Sequence, residues 1–255
     1  MNIDHLSITQ IRMYNRCPAQ YSYRYGEGLI APPAARMVRG RSYHKAAEWY
    51  YDDILRTYRR HKPKHVAEKF ADHFETSAKN EELVYQEGET KSKLLDSGAA
   101  LTRLYTERIA SKINPAAVEL SFTIPTELPS MTFRGRIDLV TRSHTIPDLK
   151  MSKRMMDADS IAADLQLTGY SIAYEYIFGR PARNLEFHFA LDQKELKVKR
   201  VKTYRGNWQK DIFWKMLYDV HAGVCDEHFP RHPDGWWCSP KYCGYYKYCL
   251  GGVRR

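Results

Sequence analysis

The stretch that decides the fold is GRIDLV at residues 135–140, followed by DLK at residues 148–150. Both are typical of β-strands, and a short polar turn separates them. Because residues two apart in a strand share a face, we expect Asp148 and Lys150 to point the same way, and Asp138 can converge with them if the strands pair. Two carboxylates can hold a divalent cation while an amine orients or deprotonates a water, as metal-assisted phosphodiester hydrolysis requires. By itself, however, an acid with a lysine two residues on is more often a solvated strand face.

The composition favours a polyanionic partner. The chain has 255 residues, with 40 Lys and Arg against 30 Asp and Glu, which gives a formal net charge of +10. A chain of this length can bury a full core as one large domain. Nineteen tyrosines and five tryptophans accompany the basic residues, and aromatic faces beside cations suit single-stranded nucleic acid. The positive charge is dispersed along the chain, so a basic surface with no such partner is the alternative.

Targeting and cofactor signals are sparse. The first six residues carry no basic segment followed by an apolar run, and no stretch reaches the ~18 apolar residues of a membrane span. We therefore expect a cytoplasmic protein without a membrane partner, in which the five cysteines are not structural disulfides. The sequence has no Gly-rich phosphate loop and no dinucleotide fingerprint. Any helicase activity would have to come from a partner protein.

The hydrophobic patterns predict helices and strands in a mixed order. Ser7 and Gln10 form a capping box that opens the first helix, and Pro18 restarts it after a break. A second helix over residues 40–60 places His44 and Glu48 four residues apart on one stripe. The other predicted elements are a helical pair within 63–113, helices over 159–178 and 207–222, and strands over 118–124, 185–191 and 196–202. Together they predict an α/β (α+β) domain with a mixed central β-sheet flanked by helices.

Three cysteines lie close together near the C-terminus, at positions 238, 243 and 249, in a stretch rich in Pro and Gly. Such a loop can wrap a metal because its thiolates are free to converge tetrahedrally. Zinc and an iron–sulfur cluster both satisfy this chemistry. Spacing alone does not place Cys17 in the set and does not choose between the metals. Cys225 follows a predicted helix away from the cluster and fits a buried free thiol.

The ordered set of motifs resembles the PD-(D/E)XK nuclease superfamily, in particular its RecB-like branch, which includes iron–sulfur AddB nuclease domains and CRISPR-associated adaptation nucleases. The resemblance covers nearly the whole chain. It implies a restriction-endonuclease-like core in a single nuclease domain over 1–255, with a helical part (1–115), a catalytic sheet core (116–204) and a C-terminal helix with the cysteine tail (205–255). The matching segments are residues 7–18 with the aromatic run after them, GRSYH at 40–44, GRID at 135–138, DLK at 148–150, QLTGY at 166–170 and the terminal cysteine triplet.

The resemblance also implies a metal site. His44, Asp138 and Asp148 would bind Mg²⁺ or Mn²⁺ together with the backbone carbonyl of Leu149. Lys150 would position the attacking water and stabilise the charge that builds on the phosphate. The acid of the D-x-K motif is often Glu in the family, and Asp148 is a shorter substitute.

Further roles follow from the same resemblance. Gln166 and Tyr170 would lie beside the metal and contact the substrate. Glu119, on the polar face of the strand before Asp138, is a candidate further ligand or a partner of one, with solvent exposure as the alternative. The family often spaces its last cysteines C-x2-C-x5-C, whereas four residues fill the first gap here. A [4Fe-4S] cluster, with zinc as the alternative, would join the N- and C-terminal segments through Cys17, Cys238, Cys243 and Cys249.

The predicted function is a divalent-metal-dependent DNA nuclease. We expect an exonuclease that acts on single-stranded DNA or duplex ends, belonging to a phage or to a recombination, repair or defence system. One alternative is a non-catalytic DNA-binding or adaptor subunit of a recombination or defence complex. The other is a zinc-stabilised nucleic-acid-binding module whose carboxylates are structural.

Overall fold

The protein was analysed as a computed structural model that describes residues 3–250. The first two and last five residues of the predicted domain lie outside this range. The helices are α1 Ile8–Arg16, α2 Pro18–Tyr21, α3 Ala35–Thr57, α4 Pro63–Asn80, α5 Lys91–Arg108, α6 Ala158–Ala162, α7 Leu165–Phe178, α8 Asn207–Cys225 and α9 Tyr246–Cys249. The strands are β1 His5–Leu6, β2 Pro115–Pro125, β3 Thr132–Thr141, β4 Thr145–Ser152, β5 Asn184–Leu191 and β6 Lys197–Thr203.

The start of the chain folds as its capping signals predict. The Ser7 side chain accepts a hydrogen bond from the Gln10 backbone N–H, and the Gln10 side chain accepts one from the Ser7 N–H in return. Cys17 ends α1 in an extended conformation, and Pro18 then occupies the first turn of α2. The predicted break is therefore confirmed, since a proline at this position gives up no helical hydrogen bond.

The strands form two three-stranded sheets in the described part of the chain, and the prediction of one central sheet was wrong. The strand orders are β1-β3-β2 and β4-β5-β6. In the second sheet β4 pairs with β5 in parallel, and β6 pairs with β5 in antiparallel orientation. Alternation along a strand reveals which of its faces is buried but not which strand it pairs with, which explains why the division was missed.

The segment after β4 also differs from expectation. The single helix predicted over 159–178 is two helices, because Asp157 caps α6 and Asp164 caps α7, each accepting from a backbone N–H three residues on. Both cap positions lie in a run of Asp, Ser and Ala that is compatible with a continuous helix. The predicted stop at Gly179 is confirmed, since this residue ends α7 with a φ of 65°.

The chain divides into two compact units. Unit 1 comprises Met1–Pro32, Thr123–Gly135 and Gly206–Arg255, and unit 2 comprises Pro33–Phe122 and Arg136–Arg205. In unit 1, α1 packs against α8, and the Tyr14 hydroxyl donates to the His228 carbonyl at 2.6 Å. The prediction of a single nuclease domain is not tested by this division, because compact units can belong to one domain.

Unit 2 has an aromatic core between the helices α3 to α5 and the sheet β4-β5-β6. A buried polar chain crosses this core. The hydroxyls of Tyr51 and Tyr105 lie 2.9 Å apart, and the Tyr105 hydroxyl lies 3.1 Å from His188 Nδ1. His188 Nε2 lies 3.0 Å from Glu186 Oε2, which also accepts from Arg200. Burial opposes ionisation of Glu186, but these partners outweigh it and lower its pKa to about 2.

No helix in residues 3–250 is long and apolar enough to cross a membrane.

The contact between α4 and α5 leads to a prediction about stability. A Cβ atom at Gly98 would lie 2.1 Å from Cζ of Phe70, whose side chain is fully buried. Gly98→Ala should therefore lower the free energy of unfolding by about 1–3 kcal/mol, measured by urea denaturation. Gly40→Ala is the matched control, because this helical glycine has no atom within 4 Å of its ideal Cβ, and it should be neutral or stabilise by up to about 1 kcal/mol. Equal effects of the two variants would contradict the close approach.

Candidate active site

The candidate site lies within unit 2, where two strands and two helices converge. Asp138 is on β3, and Asp148 and Lys150 are on β4. His44 is on α3 and Tyr170 on α7.

Asp138 is the meeting point of the two helices. His44 Nδ1 lies 3.1 Å from Asp138 Oδ2, and the Tyr170 hydroxyl donates to Asp138 Oδ1 at 2.9 Å. Gln166 lies one turn before Tyr170, and its Nε2 donates to the Tyr170 hydroxyl at 2.6 Å. Both carboxylate oxygens of Asp138 therefore have a partner. Gln166 contacts Asp138 indirectly, through the Tyr170 hydroxyl.

The pKa values of these groups reflect that pairing. Burial disfavours the charged forms of both Asp138 and His44. For Asp138, the hydrogen bonds from His44 and Tyr170 and the nearby cationic groups outweigh burial and lower the pKa below its ordinary value. For His44, the hydrogen bond and charge of Asp138 outweigh burial and raise the pKa. The pair therefore favours a charged His44 beside a charged Asp138.

Asp148 is in a different environment. Its side chain has no exposed surface, and neither carboxylate oxygen has a hydrogen-bond partner among the described residues. Lys150 Nζ lies 2.8 Å from Oδ2, as expected for two residues on one face, but its direction of approach does not satisfy hydrogen-bond geometry. Burial, and then the charge of Asp138 acting against the attraction of Lys150, raise the pKa of Asp148. Lys150 stabilises the charge of this carboxylate, but not enough to offset its burial.

Beside these residues is a small cavity with an acidic wall. One face of α3 supplies His44, Ala47, Glu48 and Tyr51, which are spaced as a helix face requires, and the strands supply Leu139 and Leu149. The carboxyl-bearing residues of the wall are Glu48, Glu119 and Asp138.

Glu119 enters this wall through an irregularity in β2. Its φ of 51° lies in the left-handed region, which interrupts the alternation predicted for residues 118–124 and is typical of a β-bulge. Its carboxylate pairs with Arg136 at 2.6 Å, and its side chain is 22% exposed. Burial, Glu48 and Asp138 raise its pKa against the opposing charge of Arg136. Glu119 is therefore neither fully solvated nor directly hydrogen-bonded to Asp138.

Glu48 is the carboxyl-bearing residue of the cavity wall that was not among the predicted site residues. Its spacing of four from His44 was the available signal, because that spacing places both on one helix face. Glu48 Oε2 lies 2.5 Å from Lys45 Nζ, one turn earlier in α3.

The other sequence-predicted site, the cysteine set, lies within unit 1. Cys17, Cys238, Cys243 and Cys249 line one cavity, which Cys225 does not line. Cys225 is a free thiol as expected, but it is exposed at the end of α8, so the prediction that it is buried was wrong. Cys17 and Cys243 are buried, and all four thiols are free. Burial, and then the neighbouring thiols of the other three, raise the pKa of Cys238.

Hydrogen-bond donors surround these sulfurs. Gln20 Nε2 donates to Cys243 Sγ at 3.2 Å. Tyr23 and Arg231 both interact with Cys249. Burial, and then the hydrogen bond with Cys249, raise the pKa of Tyr23. The hydrogen bond with Cys249 is the largest of the causes that raise the pKa of Arg231. Within residues 3–250, however, no three His, Cys, Asp or Glu side chains are already arranged to hold a metal ion. The two sites gather suitable donors but do not preassemble a coordination sphere.

The family is established by comparison with known proteins. The model of the PD-(D/E)XK nuclease superfamily matches residues 5–250, so this chain belongs to that superfamily. The branch within it, RecB-like or otherwise, is not assigned by this match.

One solved structure supports the fold. A crystal structure of a candidate exonuclease from Eubacterium rectale aligns with 92% of this chain and 87% of its own, at 12% identity and a TM-score of 0.58. The crystal structure of SSO0001 covers 98% of this chain and 88% of its own at 12% identity, but its TM-score of 0.46 supports no inference. A search of curated proteins found no match.

The environment of Asp148 predicts an unusual stability effect. Its raised pKa means that stability is lost as pH rises above the ordinary value of 3.8 and the buried group ionises. In chelator at pH 7, Asp148→Asn should therefore raise the free energy of unfolding by about 1–2 kcal/mol, because it removes a buried charge that the ion pair with Lys150 does not fully compensate, while Lys150 keeps access to water. The gain should vanish below about pH 4, where the wild-type carboxyl is protonated in both states.

The measurement is urea denaturation across this pH range. Asp72→Asn is the matched control, since the Asp72 side chain is 69% exposed on α4, and it should change stability little. A less stable Asp148→Asn protein at pH 7 would show that Lys150 already satisfies the carboxylate.

Proposed function

We propose that this chain is a divalent-metal-dependent deoxyribonuclease that hydrolyses phosphodiester bonds, as an exonuclease on single-stranded DNA or duplex ends. The observation that carries the proposal is the buried Asp148 carboxylate, which has no hydrogen-bond partner among the described residues and lies beside Lys150 in a site shared with Asp138. Buried charges in proteins are paired or coordinate metals. A divalent cation would supply the further positive charge that Lys150 alone does not provide to this buried carboxylate.

The donor chemistry fits Mg²⁺ or Mn²⁺, which prefer oxygen ligands. Asp138 and Asp148 would supply carboxylate oxygens, Leu149 its backbone carbonyl and His44 a ring nitrogen. When bound, the ion supplies Lewis acidity toward the phosphoryl oxygens and lowers the pKa of a bound water. Glu48 and Glu119 fit as further ligands or as acceptors for ligand waters, because both line the same cavity.

The remaining site residues act on the substrate and on the ligands. Lys150 Nζ is close enough to Asp148 to orient a water at the metal side and to balance the charge that develops on the phosphate. Tyr170 holds Asp138 in position through its 2.9 Å hydrogen bond. Gln166 holds Tyr170 in turn, so the Gln166 amide and the Tyr170 hydroxyl both lie beside the site. DNA as the substrate is supported by the superfamily and by the formal net charge of +10.

The exonuclease assignment is supported more weakly than the nuclease assignment. It relies on the likeness in fold to the candidate exonuclease from Eubacterium rectale. A non-catalytic DNA-binding subunit is the second candidate function, but it is disfavoured because the full set of His44, Asp138, Asp148 and Lys150 is present and lies together.

End-labelled single-stranded and duplex DNA would test the catalytic proposal. We expect degradation with Mg²⁺ or Mn²⁺, none with chelator, and a rate lower by about 100-fold or more in Lys150→Ala. Lys64→Ala, at a lysine that is 78% exposed on α4, is the matched control and should keep the wild-type rate. Absence of cleavage by the metal-supplemented wild type, or an undiminished rate in Lys150→Ala, would overturn the proposal. Product sizes distinguish exonuclease from endonuclease action.

The cysteine set is assigned a structural [4Fe-4S] cluster in this proposal. Its support is the convergence of four free thiols from opposite ends of the chain on one cavity in unit 1. Gln20 Nε2 already donates to Cys243 Sγ at 3.2 Å, and hydrogen bonds to the ligating sulfurs are typical of iron–sulfur sites. Zinc uses the same ligands, and the cavity chemistry does not separate the two metals.

Metal analysis of protein purified without oxygen would separate these metals and test the ligand set. Four iron atoms per chain with a broad visible absorption band are expected for the cluster, and one zinc atom with no band for the alternative. Cys17→Ser and Cys243→Ser should lose the metal. Cys225→Ser is the matched control, because Cys225 is exposed and does not line the cavity. Full metal content in the Cys17 and Cys243 variants would reject the site.

A further inference from the structure

The cysteine tail carries exposed aromatic side chains that the proposed function has not used. Trp236 is 74% exposed, Tyr242 45% and Tyr248 65%. Two exposed lysines, Lys241 and Lys247, lie among them. We call these five residues the tail platform. A large aromatic ring left in water contributes little to folding, so such a cluster marks an interaction surface more often than a core.

Neighbouring residues show that the exposure is selective. Trp236 and Trp237 are adjacent in sequence, and their ring centroids lie 5.9 Å apart at an interplanar angle of 77°. Trp237 is half-buried and lines the cysteine cavity, whereas Trp236 does not line it. The packing of the tail therefore partly buries the Trp237 ring and leaves the Trp236 ring exposed to solvent, where it can bind a ligand.

Two of the exposed rings, Trp236 and Tyr242, are close to each other and to the positive charge of Lys241, while Tyr248 and Lys247 belong to the same stretch of sequence. The Trp236 and Tyr242 centroids lie 5.3 Å apart at 82°. Lys241 Nζ lies 5.4 Å from the centre of the Tyr242 ring, within cation–π distance. Between residues 231 and 250 the sequence has one acidic residue, Asp234, against two lysines and one arginine. The surface thus combines flat apolar faces with a net positive charge.

We propose that the tail platform is a second, non-catalytic binding surface for single-stranded DNA, with bases stacked on Trp236 and Tyr242 and the phosphates near Lys241 and Lys247. This rests on the proposed function only in taking DNA as the substrate. Aromatic faces with adjacent cations bind unpaired strands without sequence preference, because every base has a π-face. Bases inside a duplex do not offer that face, so the platform selects single strands.

Binding can be measured without cleavage. The Lys150→Ala protein, loaded with its cysteine-bound metal, is titrated against a fluorescein-labelled 20-nucleotide oligo-dT in chelator, and the dissociation constant is read from anisotropy. Adding Trp236→Ala should weaken binding about five- to 150-fold, from the stacking energy of one base. Trp236→Phe keeps an aromatic face and should recover part of the loss. Trp208→Ala is the matched control, since Trp208 is 61% exposed on α8, and it should bind as tightly as its parent.

Three outcomes would overturn the proposal, provided that metal content and circular dichroism match the parent. The first is equal dissociation constants for the Trp236→Ala and Trp208→Ala proteins. The second is an equal loss of affinity for a 20-base-pair duplex, which would indicate contact with the backbone instead of stacking. The third is tighter binding of an RNA of the same length, which would replace DNA as the ligand. A wild type that binds through Trp236 but never cleaves would reject the proposed catalysis and leave the platform standing.

Discussion

A carboxylate with no exposed surface, and with no well-aligned hydrogen bond from any residue in 3–250, is the constraint on which unit 2 depends. Asp148 lies on β4, in register with Phe187 of β5, so the sheet itself brings an apolar ring beside the charge. Burial of this kind is costly unless a partner supplies compensating charge. Lys150 approaches closely but at a poor angle, and Asp138 adds repulsion. The structure therefore tolerates a local cost in stability at a point where chemistry can use it, as is common at functional sites.

Local signals in the sequence were sufficient to predict the first helices and to place Asp148 and Lys150 of the candidate site on one face of a strand. The Ser7–Gln10 capping box and Pro18 act through neighbouring backbone groups, so a short window contains all that determines them. The same is true of Asp148 and Lys150, whose shared face follows from the period of a strand. The contact of His44 with Asp138 joins residues 94 positions apart, and only the family resemblance brought them together beforehand.

The features that were missed depend on partners distant in sequence or on small differences between caps. Two sheets instead of one is a matter of strand pairing, which alternation does not encode. Asp157 and Asp164 split a predicted helix because each offers an oxygen to free N–H groups, although a continuous helix through that segment is also compatible with the sequence. Glu119 reaches the cavity through a left-handed φ in the middle of β2, and nothing in residues 118–124 announces that bulge.

The division of the chain into units also bears on the order of events during synthesis. All of unit 2 precedes Gly206, whereas unit 1 needs the last segment, which contains α8 and three of the four clustered cysteines. Domains and subdomains can fold as they emerge from the ribosome. The aromatic core of unit 2 can therefore form before Cys238, Cys243 and Cys249 have been synthesised. In unit 1, Cys17 and Cys238 are 221 positions apart in the sequence, and such distant contacts form late. A group bound by the proposed cysteine site would therefore be acquired after unit 2 has folded.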